Sequence, residues 1–257
     1  MTSSFLLDLG QCIGCQGCVV ACKIGNELPE GTQYIRINEQ VSGTFPDLVG
    51  GFENHRCYHC TDAACVNVCP TGALFQEDGL TRLNASACSG CQYCVQSCPF
   101  SVPKMVDGVA TKCDGCRDVV KAGGTPWCVT TCPSDALQFG ERAEIAAEAH
   151  RRAAILRERL PNAQVYGESQ AGGLGVIMVL PDEPEALGLP RDPQIPTITN
   201  ALQGAVKPVS LGVTAASVIG AGVAAVIARR NHMNEMRALE AAAAGGDQAS
   251  DDGEVTP

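Results

Sequence analysis

Positive charge is scarce in this chain, and what there is does not gather. Eighteen Lys and Arg stand against 28 Asp and Glu, giving a formal net charge of −10 and a calculated pI near 4.8. No basic patch or run occurs in residues 1–140, which argues against nucleic acid as a partner. The acidic balance reads instead as solubility and as steering towards a partner surface. The signs of substrate chemistry are missing as well. There is no acid–base pair, no activated nucleophile and no glycine-rich phosphate loop, so no catalytic residue is expected. Residues 1–10 lack a basic stretch and carry too short an apolar run for a secretory signal. No twin arginine precedes the head, and Arg151-Arg152 falls in a predicted helix; the expectation is a chain without an export signal of its own. Cysteine is absent after residue 132.

Before that point cysteine is abundant. All sixteen lie between Cys12 and Cys132, in four groups of four. The first is Cys12, Cys15, Cys18 and Cys22, and the second Cys57, Cys60, Cys65 and Cys69. The third is Cys88, Cys91, Cys94 and Cys98, and the fourth Cys113, Cys116, Cys128 and Cys132. Pro70, Pro99 and Pro133 follow the last cysteine of groups two to four, where proline removes a donor and fixes the exit direction. A [4Fe–4S] cube needs one thiolate per iron. A Cys-x2-Cys-x2-Cys loop wraps three corners, and in two-cluster ferredoxins the fourth thiolate comes from the other cysteine run. Sixteen cysteines therefore match four cubanes as iron ligands with none left over.

Other uses of cysteine fit worse. Zinc takes two Cys-x2-Cys pairs at a distance, whereas groups one and three hold three cysteines within seven residues. Disulfides predict scattered cysteines in a small secreted domain, not triplets interleaved with Gly14, Gly17, Gly90 and Gly115. Buried structural cysteine produces no spacing at all. The spacing leaves open how the groups pair: first with second and third with fourth, or one module inserted in the other.

The predicted fold class is α+β: two interleaved ferredoxin-like dicluster modules, loop-rich, plus one C-terminal transmembrane helix. Residues 1–140 form the four-cluster head, with short strands at 34–38, 79–83 and 136–139. Cys-Pro-Thr-Gly-Ala-Leu at 69–74 and Cys-Pro-Ser-Asp-Ala-Leu at 132–137 mark an internal duplication. Cluster binding contributes much of the folding free energy, so a small apolar core suffices. Residues 141–205 form an extension. In it, 141–160 reads as an amphipathic helix with Ile145, Ala149, Ala153 and Leu156 in one stripe, ended by Pro161. Residues 171–180 read as a turn and a buried strand, and 181–196, with five prolines, as an extended linker.

Residues 206–230 contain the expected membrane helix. Its core, 209–228, is twenty residues without a charge, about 30 Å as a helix and enough to cross the hydrocarbon layer. Gly212, Ala216, Gly220, Ala224 and Ala228 repeat every four residues, a spacing that lets helices approach closely. The run holds no histidine, so it cannot by itself hold a bis-histidine haem; His232 lies just beyond it. Lys207 precedes it and Arg229-Arg230 follow it, which by the positive-inside rule places the tail in the cytoplasm and the head on the outer, periplasmic side. Residues 231–257 are expected to be a disordered acidic tail.

Four cysteine groups in this order, with four residues between Cys60 and Cys65 and eleven between Cys116 and Cys128, resemble the iron–sulfur subunits of membrane molybdopterin oxidoreductases, and most closely the beta subunit of formate dehydrogenase-N. Tyr166-Gly167, Gly172-Gly173, Gly188-Leu189-Pro190 with Pro193, and Lys207-Pro208 extend the resemblance over about residues 5–230. It implies the nested pairing. One cluster would take Cys12, Cys15, Cys18 and Cys132, and its neighbour Cys113, Cys116, Cys128 and Cys22. A third would take Cys57, Cys60, Cys65 and Cys98, and the fourth Cys88, Cys91, Cys94 and Cys69. In nitrate reductase relatives Trp replaces one ligand and a three-iron cluster results; here all sixteen positions are Cys and Trp127 is additional, so four [4Fe–4S] clusters are expected. The resemblance further implies an electron relay of anaerobic respiration, from a molybdopterin catalytic subunit oxidising formate to a membrane cytochrome b that reduces quinone. The same role with a nickel–iron hydrogenase or another molybdopterin reductase, a membrane-tethered ferredoxin, and a zinc-stabilised interaction module are the alternatives. His55 and His59 flank Cys57 and read as exposed loop residues, or as groups tuning a potential through sulfur. Lys104 and Lys112 are either solvated or offset cluster charge.

Overall fold

The computed structural model describes residues 2–194 and 197–246. In chain order its elements are β1 (Ser3–Asp8), α1 (Gly17–Gly25), β2 (Arg36–Thr44), β3 (Asp47–His55), α2 (Ala64–Asn67), β4 (Leu74–Glu77), β5 (Leu80–Leu83), α3 (Tyr93–Ser97), β6 (Lys104–Val106), β7 (Val109–Thr111), α4 (Arg117–Lys121), α5 (Trp127–Thr130), β8 (Leu137–Glu141), α6 (Arg142–Arg157), β9 (Gln164–Tyr166), β10 (Val176–Leu180) and α7 (Thr197–Gly246). The mixture of short helices and strands is the expected α+β class. The chain divides after Ala201 into two compact units.

In the first unit a four-stranded sheet runs in the order β8-β1-β10-β9. β1 is antiparallel to β8 and parallel to β10, with Leu6 opposite Gln138 on one side and Ile177 on the other. Both central strands are buried on both faces, so they read as continuous apolar runs rather than alternating ones. The faces have separate tasks. Leu6, Ile177 and Val179 meet Ile145, Ala149 and Ala153 of α6. Phe5, Leu7, Val176, Met178 and Leu180 meet a core that contains Cys18, Cys22 and Cys128. Each large side chain so buried contributes roughly 1.5–3 kcal/mol.

The remaining strands are hairpins between the cysteine groups. β2 pairs with β3, β4 with β5, and β6 with β7. Asp78-Gly79 and Asp107-Gly108 join the latter two, with all four residues at positive φ, as a type I′ turn demands. The expected strand at 79–83 therefore begins one residue late, because Gly79 belongs to the turn. The strand expected at 34–38 begins at Arg36 and continues to Thr44. The duplication is structural too: Gly72 and Asp135, each three residues beyond a Cys-Pro cysteine, are both left-handed, and the chain then enters β4 and β8 respectively.

Within the extension, β9, β10 and α6 supply half the sheet and its outer layer. One expectation is corrected: residues 181–194 are not an extended linker. Pro184–Leu187 form a 3₁₀ turn, Leu187 and Leu189 enter the main core, and the Tyr166 hydroxyl donates to the Pro190 carbonyl at 2.6 Å. Regularly placed apolar side chains outweigh the proline content here.

The second unit, from Leu202, holds most of the helix α7. The tail expected to be disordered from residue 231 is helical as far as Gly246, because 231–244 is rich in Ala, Leu, Glu, Met and Arg, all strong helix formers. Residues 247–257 lie outside the described residues. Among the described residues no helix is long and apolar enough to cross a membrane. The side chains of 201–211 and of position 214, which include the first part of the expected span, lie outside the described residues. Within the rest of that span Val213, Val218, Ile219, Val223, Val226 and Ile227 are exposed.

Arg152 ties α6 to the head. Only 7% exposed, it donates to Glu148 at 2.6 Å, to the Gln11 side chain at 2.9 Å, and to the carbonyl and carboxylate of Asp135, both at 2.8 Å; Asp8 lies 3.5 Å away. Arg152→Ala strands these acceptors and is expected to cost about 3 kcal/mol, read as a lower denaturation midpoint by circular dichroism. Hydrogen bonds from Arg151 and Arg152 hold the Glu148 carboxyl down at about 2, against an ordinary 4.5. The stability that Glu148 contributes is therefore complete above pH 4.5 and fades as the pH falls towards 2; in Glu148→Gln that part of the acid sensitivity disappears.

Candidate metal centres

The cysteine loops owe their shape to left-handed residues at repeated positions. Gly14 and Gln16 have φ of 66° and 58°, Gly90 and Gln92 of 72° and 65°, and Gly115 and Cys116 of 73° and 51°. Such turns curl the backbone into concavities whose N–H groups suit anions. At Gly14 the requirement is double, because a Cβ there would lie 2.4 Å from the Phe52 ring. After each loop a short helix carries the next cysteines: Cys18 and Cys22 on α1, Cys65 on α2, Cys94 on α3 and Cys128 on α5. α1 packs against α5, and α2 against α3.

That packing brings the cysteines together in quartets. Cys12, Cys15, Cys18 and Cys132 line one cleft, walled by Leu7, Ile37 and Leu137. Cys69, Cys88, Cys91 and Cys94 line another, walled by Leu74, Leu83 and Ala110. Cys113, Cys116 and Cys128 all act electrostatically on Cys22, and Cys57, Cys65 and Cys98 on Cys60. The first group thus lies beside the fourth and the second beside the third. None of the sixteen is in a disulfide. Among the described residues no three His, Cys, Asp or Glu side chains converge closely enough for a single metal ion; the quartets surround volumes instead of points.

The thiols are electrostatically crowded. Burial, with repulsion from neighbouring thiols, pushes Cys18 and Cys116 up to about 11 and Cys65 to about 12, and Cys22 and Cys60 higher still. Cys57 and Cys113 go the other way. Burial works to raise them, but His59 acts on both, with Lys112 at Cys57 and Arg56 at Cys113, and holds them below the ordinary thiol value. Backbone N–H groups of Leu74, Ala110 and Gly115 point at Cys69, Cys88 and Cys113 at 3.5, 3.4 and 3.4 Å. A donor set of four thiols per cavity, met by N–H dipoles and cations, fits polynuclear iron–sulfur groups.

Several basic side chains lie deeper than their place in the sequence suggests. His59 is fully buried, not an exposed loop residue, and Lys112 is 3% exposed; each is held by hydrogen bonds inside the head. Lys104 is solvated, as one reading had it. His55 is half-buried and contacts the Phe100 carbonyl at 2.8 Å. Arg56 drew no attention in the sequence, yet it is fully buried. Its guanidinium points both Nη groups at Cys128 Sγ, at 3.7 Å, and stacks 4.7 Å over the Phe5 ring. Only its place beside Cys57 marked it, and an arginine next to a cysteine is an ordinary surface pattern.

Two stretches, residues 11–73 and 49–142, match the family described as 4Fe-4S dicluster domain. The chain is 34% identical over 232 residues to the nitrate-inducible formate dehydrogenase iron-sulfur subunit of Escherichia coli, covering 80% of this chain and 78% of the relative. It is 35% identical over 235 residues to the formate dehydrogenase iron-sulfur subunit of Haemophilus influenzae, covering 80% and 74%. It is also 42% identical over 148 residues to the thiosulfate reductase electron transfer subunit PhsB of Salmonella typhi, covering 54% and 77%.

Gly14→Ala should lower bound iron by the share of the Cys12–Cys15–Cys18–Cys132 site. Gly31→Ala has a similar φ of 75° but open space around it, and should leave iron content unchanged. Iron and sulfide analysis of the purified chains makes the comparison.

Proposed function

The chain belongs to the family of formate dehydrogenase iron–sulfur subunits, and from that premise we propose that its sixteen cysteines hold four [4Fe–4S] clusters in a relay between a molybdopterin catalytic subunit oxidising formate and a membrane cytochrome b. It is an electron-transfer subunit of a multi-subunit oxidoreductase; the four-cluster count, the substrate and the partners are the proposal. The observation that carries it is the gathering of Cys12, Cys15, Cys18 and Cys132 in one cleft and of Cys69, Cys88, Cys91 and Cys94 in another, the other eight cysteines being coupled to one another electrostatically. The clusters supply one-electron chemistry. The chain's part is to seat and space them, to exclude water from the central sites, where Cys57, Cys113 and Cys128 are buried, and to leave Cys15 and Cys91 exposed at the outer two.

A relay into a membrane needs an anchor, and α7 is its candidate. Residues 209–228 carry no charge, and the described apolar side chains among them are exposed; the stripe from Gly212 to Ala228 suits close packing against a membrane subunit. With more positive charge after the run than before it, the head lies on the outer side and the C-terminus in the cytoplasm. Accessibility of the head to protease in right-side-out vesicles is expected; digestion only in inverted vesicles would reverse the orientation.

A second reading rests on one specific observation. Over about half of the chain the identity to a thiosulfate reductase subunit is higher, at 42%, which makes a reductase partner the alternative. The formate dehydrogenase match reaches 80% of the chain and takes in the extension, and for that reason it is preferred. In the native complex purified in mild detergent, formate alone should reduce the clusters seen by low-temperature EPR. Reduction by hydrogen alone would assign a hydrogenase, and reoxidation of dithionite-reduced clusters by thiosulfate would assign the reductase.

A further inference from the structure

Between the two central quartets lies a chain of polar contacts that cluster seating alone does not require. The Lys112 ammonium spends its donors on the Thr81 carbonyl at 2.7 Å, the Thr81 hydroxyl at 3.0 Å and the Cys113 carbonyl at 2.8 Å. The charge is thus pinned beside Cys113, and its field also reaches Cys57 and Cys65 in the other quartet. The Thr81 hydroxyl is 3.5 Å from Cys57 Sγ. The Thr81 backbone N–H donates to His59 Nδ1 at 3.1 Å, which leaves the ring proton on Nε2. That nitrogen is buried without a hydrogen-bond partner of its own, in a ring lying against the thiols of both Cys57 and Cys113.

We propose that Lys112, Thr81 and His59 form one electrostatic joint between the two central cysteine quartets, and that Lys112 raises the reduction potential of both sites together. The inference rests on the four-cluster reading. A fixed positive charge in a low-dielectric interior favours the more negative, reduced form of any redox group beside it. Here one charge stands between two sites, so both potentials are lifted by the same residue. The quartet of Cys69, Cys88, Cys91 and Cys94 lacks such a neighbour among the described residues; Leu74, Ala110 and Thr71 face it with neutral dipoles. Cys15 and Cys91 open the outer quartets to solvent, which screens distant charge. Lys112, Thr81 and His59 are positioning residues, since none of them is a ligand.

The test is a redox titration of the full complex followed by low-temperature EPR. The central signals are those lost in Cys57→Ser and in Cys113→Ser. Lys112→Met should lower the reduced-to-oxidised ratio of both central signals about tenfold at fixed ambient potential, equivalent to 59 mV for one electron, with the outer signals unmoved. Lys112→Arg should restore both. His59→Leu reads the joint from its other end and should lower both as well, which keeps the test open if Lys112→Met fails to take up iron. A shift confined to one central signal, an equal shift in all four, or no shift would overturn the proposal. Wild-type complex from which Cys57→Ser and Cys113→Ser remove no signal would overturn the four-cluster reading itself.

Discussion

Everything in the first unit answers to one constraint: sixteen thiols must be turned inward in four groups without bonding to one another. Burial and mutual repulsion make several of them, Cys18, Cys22, Cys60 and Cys65 among them, resist ionisation, and a multivalent positive group relieves four at once. The secondary structure follows from this need. Left-handed residues at Gly14, Gln16, Gly90 and Gln92 curl the loops, helices as short as four residues set the next thiol in place, and tight Asp-Gly hairpins return the chain to the next group. An ordinary apolar core could not specify such short elements; binding energy at the sites supplies what packing lacks.

The same constraint explains why a chain of net charge −10 buries cations at its centre. The Arg56 guanidinium and the Lys112 ammonium are both buried, and an unpaired buried charge is costly. They are tolerable because the Arg56 Nη groups point at Cys128 Sγ and the Lys112 ammonium donates to the Thr81 and Cys113 carbonyls. The outside of the protein is acidic and the space between its cysteine quartets is cationic, an inversion of the common arrangement.

The sheet of β8, β1, β10 and β9 works as a clamp. It joins the first strand of the chain to one that follows the last cysteine group, so the nested pairing is closed from outside. Its inner face finishes the core around Cys18, Cys22 and Cys128, while α6 seals its outer face and Arg152 ties the two together. The extension is thereby part of what makes the head rigid, and a relay needs fixed distances between its sites.

By itself the sequence determined the chemistry. Cysteine spacing is a local property, set by how far a loop reaches around a cube, so the ligand type and the arrangement in fours were legible without a fold. The alternation of Ile145, Ala149 and Ala153 and the duplicated Cys-Pro stretches were legible for the same reason, since each repeats over a few residues. The tertiary structure decided what depends on residues distant in the chain. The packing of α1 on α5 and of α2 on α3 brought the groups together as first with fourth and second with third, where spacing had left two pairings open. It also decided the burial of Arg56, His59 and Lys112, because burial is not written in an isolated polar residue: it is created when Thr81, Cys113 and Cys128, far apart in sequence, fold around it.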